Sequence, residues 1–186
     1  MTPGMAGDRI DYHVTWLEMN DRPNLNPAPK PDGEDVEVVE AVDFPEWYFF
    51  ALYDAVGVGY AWDDMHELAS DEANALLGHP KTSLHSMMRS GWPQGFYLLD
   101  RRNPSICDIA YFGLVEQAIG RGLGGWLLDD AIAKGWNGSG VVKLTVNTCT
   151  LDHPAALKLY VGRGFKPVRR EARSRILKSA LKFPHP

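Results

Sequence analysis

The stretch that most constrains the fold is residues 109–128, in which an apolar run is followed by a cluster of glycines and an apolar helical pattern. Residues 109–115 are apolar and aromatic, which favours a buried strand. Leu123, Leu127 and Ala131 recur at i, i+4 and i+8, which predicts one apolar face of a helix. The glycines that lie between these segments are Gly120, Gly122, Gly124 and Gly125. The first N–H groups of a helix have no intrahelical partners, so this glycine turn predicts a site for a diphosphate-bearing cofactor.

A dinucleotide-binding fold is one alternative for this turn, because Gly120, Gly122 and Gly125 match the pattern Gly-x-Gly-x-x-Gly. In that fold the glycines follow the strand almost at once, whereas residues 116–119 intervene here. An acidic residue is expected about 20 residues further on, where this chain has residues 147–149, Asn-Thr-Cys. Only about one further βα unit follows the glycine motif, which is too little for a dinucleotide-binding domain. This alternative predicts NAD binding.

Two motifs favour a different family. Residues 119–124 follow the pattern Arg/Gln-x-x-Gly-x-Gly/Ala, with Ile119 in the first position. Residues 153–165 follow Asn-x-x-Ala-x-x-x-Tyr-x-x-x-Gly-Phe, with His153 in place of Asn. In this order and spacing the motifs resemble those of the GCN5-related N-acetyltransferase (GNAT) superfamily, and the resemblance covers about residues 106–168.

The resemblance implies an α/β fold of the α+β type, in which a mixed, mostly antiparallel central sheet splays at its middle and carries helices on both faces. The splay is expected between strands 106–115 and 141–147. Length and composition predict a single domain over residues 1–186. Residues 1–10 are predicted to be disordered, and the proline-rich residues 20–35 are predicted to form a loop.

The other predicted elements follow from periodicity and turn residues. The predicted strands are 11–19, 36–42, 81–90, 95–100, 165–170 and 174–182, and the predicted helices are 46–55, 70–78, 121–136 and 154–164. Residues 91–94 are predicted to turn between two of the strands, and Ser70 is predicted to cap a helix. An extra N-terminal strand could mediate a homodimer.

The activity that the resemblance implies is transfer of an acetyl group from acetyl-CoA directly to a primary amine, without a metal. The residues that would bind the cosubstrate are Phe112, Gly113, Leu114, Ile119, Gly120, Arg121, Gly122, Leu123, Gly124, Gly125 and His153. His153 either contacts coenzyme A or caps the following helix. Tyr160 matches the family's proton donor to the departing thiolate.

The general base is less clearly marked. Some family members carry a glutamate at the position of Thr148, which cannot serve. Glu116, at the end of the cosubstrate strand, is the first candidate in sequence. The further candidates, acting through water, are Asp63, Asp64, His66 and His85. Cys149 as a nucleophile and a zinc site at Cys149 and His153 are both disfavoured, because the activating base and further ligands are not evident.

Charge is distributed unevenly along the chain. Residues 1–80 contain 17 acidic and 3 basic residues, whereas residues 81–186 contain 7 acidic and 16 basic ones. If the first half builds the acceptor cleft, a cationic small molecule or peptide amine is the expected acceptor. The acidic run 34–46 could equally be a solvated surface. Transfer from another acyl-CoA, or a non-catalytic acyl-CoA-binding sensor, are the alternative functions.

Other partners are disfavoured by composition. No apolar run approaches the roughly 20 residues of a membrane span, and residues 1–9 lack a hydrophobic signal region. The basic segment 166–178 has no interleaved aromatic residues, which disfavours nucleic acid. The two cysteines, Cys107 and Cys149, suit a reduced cytoplasmic protein.

Overall fold

The structure is a computed structural model that describes residues 4–23, 30–31 and 35–181. The strands are β1 Arg9–Met19, β2 Val36–Ala41, β3 Thr82–Arg89, β4 Trp92–Asp100, β5 Ile106–Leu114, β6 Lys143–Cys149 and β7 Lys166–Ile176. The helices are α1 Glu46–Gly57, α2 Asp64–Glu67, α3 Ser70–Leu77, α4 Leu123–Trp136 and α5 Ala156–Gly162, with short 3₁₀ turns at Val58–Tyr60 and Glu116–Ala118.

All seven strands form one sheet in the order β2-β3-β4-β5-β6-β1-β7. Each neighbouring pair is antiparallel except β5 and β6, which are parallel. The predicted mixed, mostly antiparallel sheet is therefore confirmed. A dinucleotide-binding domain requires a mostly parallel sheet, so the alternative drawn from the glycine pattern is wrong.

The predicted splay is also confirmed, because β5 and β6 pair only between residues 106–109 and 143–146. Beyond that point the register ends, although β5 continues to Leu114 and β6 to Cys149. A bulge at Ala110, between the pairs Leu98–Tyr111 and Leu99–Ile109, bends β5 where the two strands separate. One edge of β5 between residues 110 and 114 thus has no strand partner among the described residues.

Helices cover both faces of the sheet, as predicted. Phe49 of α1 packs edge-to-face on Phe96 of β4, with ring centroids 6.0 Å apart. The neighbouring β4 residue, Tyr97, points to the other face and donates a hydrogen bond to Asp130 of α4 at 2.5 Å. We call these faces the α1 side and the α4 side. The main core is continuous around the middle of the sheet and includes Leu17, Leu98 and Leu127.

The N-terminal strand lies inside the sheet, because β1 pairs with β6 on one edge and with β7 on the other. It therefore offers no free edge through which a second copy could pair, and this route to a dimer is wrong. The homodimer itself stays a prediction. Disorder over residues 1–10 is wrong for Arg9 and Ile10, which begin β1; the N–H of Gly7 also donates to the carbonyl of Leu177 at 2.8 Å. Residues 1–3 lie outside the described residues.

Several boundaries differ from the predictions for local reasons. The hairpin turns at Ser90 and Gly91, which both have positive φ, so β4 begins at Trp92 rather than after Gln94. Ala69 rather than Ser70 precedes α3, and its N–H donates to the Glu72 carboxylate at 3.3 Å.

The C-terminal segment also differs, because one continuous strand, β7, replaces the two predicted strands 165–170 and 174–182. Its partner β1 is 11 residues long and pairs along its whole length. Residues 177–181 are not part of β7, and residues 182–186 lie outside the described residues. Within the predicted loop 20–35, residues 24–29 and 32–34 also lie outside them, and the described remainder has no regular structure.

Candidate functional site

A cleft of about 930 Å³ opens where β5 and β6 separate, and residues from both sides of the sheet line it. The predicted site residues among its lining are Phe112, Gly113, Leu114, Ile119, Gly120, Gly122, Leu123, Gly124, Gly125, His153 and Tyr160. The structure thus brings the two sequence motifs to one cavity. The roles assigned to these residues stay predictions.

The glycine turn forms the α4-side wall of the cleft. Gly120 and Gly122 have φ of 83° and 76°, which a residue with a Cβ atom rarely adopts, and no atom lies within 4 Å of where a Cβ would stand. Gly122 precedes α4 and makes no side-chain cap, so the first N–H groups of this 14-residue helix face the cleft without a capping side chain. This arrangement suits an anionic group such as a diphosphate.

Two other glycines are explained by packing rather than by space for a ligand. A Cβ atom at Gly113 would lie 2.4 Å from Val56 Cγ1 and 3.7 Å from the indole of Trp62. Trp62 therefore lies against the part of β5 that borders the cleft. A Cβ atom at Gly125 would lie 2.2 Å from Arg163 Nη2, and Arg163 Nε in turn pairs with Asp129 at 2.9 Å. Gly125 thus accommodates the arginine that crosses α4.

Tyr160 lies on α5 and is 5% exposed, with its ring 6.0 Å from that of Phe112 and 6.1 Å from that of Phe165. Burial, and to a smaller extent the charge of Asp152, raise the pKa of the Tyr160 hydroxyl above its ordinary value of 10. The hydroxyl is therefore protonated at neutral pH and is a potential hydrogen-bond or proton donor at the cleft. Both the packing and the donor interpretation fit this position.

Asp152 organises the loop between β6 and α5. Its carboxylate accepts hydrogen bonds from Trp62 Nε1 at 3.1 Å, Thr148 Oγ1 at 2.7 Å and the Cys149 N–H at 2.8 Å. It therefore braces this loop and Trp62. His153 accepts from the Ala155 N–H through Nδ1 at 3.2 Å. This bond lies in the turn before α5, which has no side-chain cap, and His153 also lines the cleft.

The α1-side wall contains a carboxylate held by two phenols. Asp64 begins α2 and accepts hydrogen bonds from the hydroxyl of Tyr53 at 2.6 Å and from the hydroxyl of Tyr111. Burial first, and Asp64 second, raise the pKa of both phenols, which keeps them protonated donors. The rings of Tyr53, Trp62 and Tyr111 lie 5.3–5.6 Å from one another. A carboxylate beside aromatic faces is suited to an ammonium group.

The remaining candidates for the base lie elsewhere. Glu116 is exposed and does not line the cleft, so the geometry does not favour the first choice from sequence. Asp63 pairs with Arg175, and His66 pairs with Asp54 at 2.6 Å outside the cleft. His85 lines a separate cavity of about 480 Å³, and burial lowers its pKa to about 4.

Arg121 is likewise exposed and absent from the cleft lining. The acidic run 34–46 lies on and around β2 at the sheet edge. None of its described carboxylates lines the large cleft. The expectation of a cationic acceptor, which was based on the acidic residues of the first half, therefore has no support from this run. The wall of the cleft on the α1 side is built instead by residues 60–62, Asp64 and residues of β1 and β7.

The cysteines do not have the character of nucleophiles. Burial, followed by the charge of Asp152, raises the pKa of the Cys149 thiol to about 12, and burial raises that of Cys107 to about 11. Both are free thiols. The part of the chain that the structure describes contains no group of three potential metal ligands from His, Cys, Asp and Glu, and none of its helices is long and apolar enough to cross a membrane.

No sequence pattern predicted a site role for Trp62, Tyr111, Trp16 or the arginines of β7. Asp64 was predicted only as one of several bases acting through water, and Trp62 lies two residues before it among clustered aromatic and acidic residues. In the sequence, Tyr111 has the pattern of an ordinary core residue of a strand. One signal was available: Gly113, inside a strand of large residues, indicates that another group approaches its backbone closely.

The chain matches no protein family model and no curated protein by sequence. Among solved structures, it superposes on a functionally unknown conserved protein from Staphylococcus epidermidis with a TM-score of 0.59 and 10% identity, over 91% of this chain and 63% of that one. A GCN5-related N-acetyltransferase from Sphaerobacter thermophilus gives 0.53 and 17% identity, over 94% and 53%. A GNAT family acetyltransferase from Elizabethkingia anophelis with acetyl-CoA bound gives 0.53 and 20% identity, over 72% and 78%.

This chain thus spans less than two thirds of the length of the first two proteins. The similarity nevertheless extends over most of this chain, and the named acetyltransferases share its folded framework. Together with the single parallel pair β5–β6 and its splay, these superpositions show that the chain has the GNAT fold.

Proposed function

We propose that this chain is an N-acetyltransferase of the GNAT superfamily, which transfers an acetyl group from acetyl-CoA to a primary amine. The observation that carries the proposal is the position of the glycine turn. The uncapped N-terminus of α4 and the unpaired edge of β5 border the same cleft. The acetyl-CoA bound to the E. anophelis protein supports the choice of cosubstrate.

The residues present fit acetyl-CoA. The N–H groups at Gly122 to Gly125 would hold the diphosphate, where Gly120 and Gly122 leave open space. The backbone of residues 112–114 would pair with the amide-containing pantetheine arm, because this edge of β5 has no strand partner among the described residues. Acetyl-CoA supplies the acetyl group as an activated thioester.

Two side chains of the cleft suit the proton transfers that the reaction needs. The amine nitrogen forms a bond to the acetyl carbon, and the C–S bond breaks. Tyr160 would give its hydroxyl proton to the departing sulfur, because its raised pKa keeps it protonated. Asp64 replaces Glu116 as our candidate to bind the acceptor ammonium and to accept its proton through water, because Asp64 lines the cleft.

Thermal melting with acetyl-CoA, CoA and NAD in parallel tests the binding step, and release of free thiol with an amine panel tests the transfer step. At about 100 times its dissociation constant, acetyl-CoA should stabilise the fold by about 2.7 kcal/mol, and NAD should not. Thiol release that depends on an amine would support the transferase. Binding without transfer to any amine would favour the acyl-CoA sensor, and no stabilisation by either CoA species would overturn the proposal.

A further inference from the structure

The wall of the cleft formed by β1 and β7 carries two arginines over one indole. The Arg169 guanidinium carbon lies 3.6 Å from the centroid of the Trp16 ring, and that of Arg173 lies 5.1 Å from it. Trp16 pairs in register with Arg169, and Tyr12 with Arg173, so the two arginines stand on the same face of β7. All four side chains line the cleft. A guanidinium stacked on a ring keeps its N–H edge available for a planar anion.

One carboxylate serves both arginines. Glu171 lies between them on the same face, with Oε1 2.7 Å from Arg169 Nη1 and Oε2 3.1 Å from Arg173 Nη2. Two cations therefore share one anion, which leaves an excess of one positive charge on this wall. Because Glu171 does not itself line the cleft, it orients the arginines from the side. A carboxylate or a phosphate would match the forked geometry of this pair.

This wall lies on the α1 side of the sheet, away from the glycine turn. Asp108 of β5 accepts a hydrogen bond from Thr145 of β6, its partner in register. Thr145 is in turn in register with Glu18 of β1, two residues from Trp16. Residues opposite one another in register share a face of the sheet. Asp108 is opposite Asp100 of β4, which lies on the face that α1 covers. Trp16 and its arginines therefore share the face of Asp64, whereas the glycine turn belongs to α4 on the opposite face.

Arg175 links the strand of the arginine pair to the segment that carries Asp64. Arg175 donates from Nη1 to the Ala61 carbonyl at 3.0 Å and pairs with Asp63, which ties β7 to the segment that carries Asp64. Arg173 is two residues, about 7 Å, from Arg175 along the strand. Asp64 is held by two neutral phenols, whereas Asp100 pairs with the Arg102 cation, Asp108 accepts from Thr145, and Asp152 accepts three hydrogen bonds.

We propose that Trp16, Arg169 and Arg173 bind an anionic group of the acceptor, so that the acceptor carries a carboxylate or phosphate in addition to its amine. The inference rests on the proposed function, because it assigns the substrate class of the same cleft. It replaces the cationic amine expected from the charge of residues 1–80. Asp64 would hold the amine end and the arginine pair the anionic end of one amphoteric molecule.

Matched pairs of amines test this assignment, with free thiol release from acetyl-CoA as the readout. Glycine is compared with glycinamide, phenylalanine with phenethylamine, and O-phosphoethanolamine with ethanolamine, so that the carboxylate and phosphate arms are separate. We expect the anion-bearing member of at least one pair to have a kcat/KM at least 10-fold higher. Arg173→Gln should abolish that preference, so that the two members of the pair have similar kcat/KM values.

Arg170→Gln is the control, because Arg170 is adjacent on β7, carries the same charge and pairs with Thr15 on the other face. It should keep the preference. If Arg173→Gln instead lowers acetyl-CoA affinity 10-fold and leaves the acceptor preference intact, the arginines serve the cosubstrate and the inference is overturned. Equal rates within every pair overturn it as well.

Melting of CoA-saturated protein with the same pairs separates this inference from the proposed function. Selective stabilisation by an anion-bearing amine, lost in Arg173→Gln, supports the anion site even where no acetyl group is transferred; the transferase would then be the part that fails. Thiol release together with stabilisation by the anion-free amines alone keeps the transferase and overturns the anion site. No stabilisation and no turnover with any anion-bearing amine also overturns it.

Discussion

The two walls of the cleft are built in different ways. The α4-side wall consists largely of main chain from residues 112–125, in which glycines expose N–H groups, and is completed by Tyr160 of α5. The α1-side wall is a side-chain surface assembled from β1, residues 60–62, Asp64, β5 and β7, whose lining residues extend from Tyr12 to Arg175 in the sequence. The first wall is electrostatically simple, whereas the second combines a carboxylate, aromatic rings and an arginine pair.

This difference teaches which functions a single sequence reveals. A main-chain site restricts the residue types at consecutive positions, because only glycine gives the required φ and open space at Gly120 and Gly122. A side-chain site restricts residues that become neighbours only through strand order. The main-chain wall therefore has a recognisable sequence pattern, and the side-chain wall has none of comparable length.

The largest expected effect comes from Tyr160, which lies against Phe112 at the cleft. Tyr160→Phe should lower kcat by about 10²–10⁴-fold, because it removes the proposed proton donor to the thiolate and keeps the ring. The KM for acetyl-CoA should change little. Steady-state thiol release checks this, with Tyr48→Phe as the control, whose hydroxyl contacts Ser86 at 3.0 Å. An unchanged kcat would leave Tyr160 a packing residue.

A smaller effect is expected when the main-chain wall is altered. Gly122→Val should weaken acetyl-CoA binding by about 10–100-fold, since a side chain there covers the N–H groups of α4. The matched control is Gly91→Val, because Gly91 has φ of 84° and equally open surroundings on a distant turn. Both variants should lose about 1–2 kcal/mol of stability from backbone strain. Calorimetric titration with acetyl-CoA should separate them, and equal weakening would contradict the binding role of the turn.

A change in the side-chain wall should instead affect the acceptor and leave acetyl-CoA binding unchanged. Asp64→Asn should raise the acceptor KM about 10-fold, because the ammonium loses a charged partner, while acetyl-CoA affinity stays the same. Asp54→Asn is the control, since Asp54 pairs with His66 outside the cleft. The measurement is a two-substrate kinetic analysis of both variants. Loss of acetyl-CoA binding in Asp64→Asn would show that the two walls are not separate in function.

The smallest expected effect is in the pH profile of the wild type. The pKa of Tyr160 is raised above 10 by burial, so the hydroxyl keeps its proton as the pH rises to 10. Deprotonation of Tyr160 should therefore produce no decline of kcat between pH 7 and 10. A decline in this range that disappears in Tyr160→Phe would show that the hydroxyl ionises earlier than its surroundings imply.

Much of the fold followed from local patterns. The strand, turn and helix at residues 109–128 were predicted because the period of the apolar residues changes there from a strand to a helix. Strand order did not follow, since nothing local to residues 9–19 places β1 between β6 and β7. Local sequence also led to the prediction of Glu116 as the general base, because Glu116 follows β5 closely in the sequence. The 3₁₀ turn at Glu116–Ala118 places it at the surface.

By itself, the sequence determined the glycine turn and the position of Tyr160 four residues before Gly164, because these features depend on backbone conformation and on spacing within single elements. The splayed, mostly antiparallel sheet was an expectation that came from the family resemblance of the two motifs. The tertiary structure alone decided the side-chain wall, because Asp64, Trp16 and Arg173 come to line one cleft through the pairing of β1 with β7 and through the link of Arg175 to Ala61 and Asp63. Contacts of this kind depend on which strands adjoin, a property that periodicity within one segment does not encode.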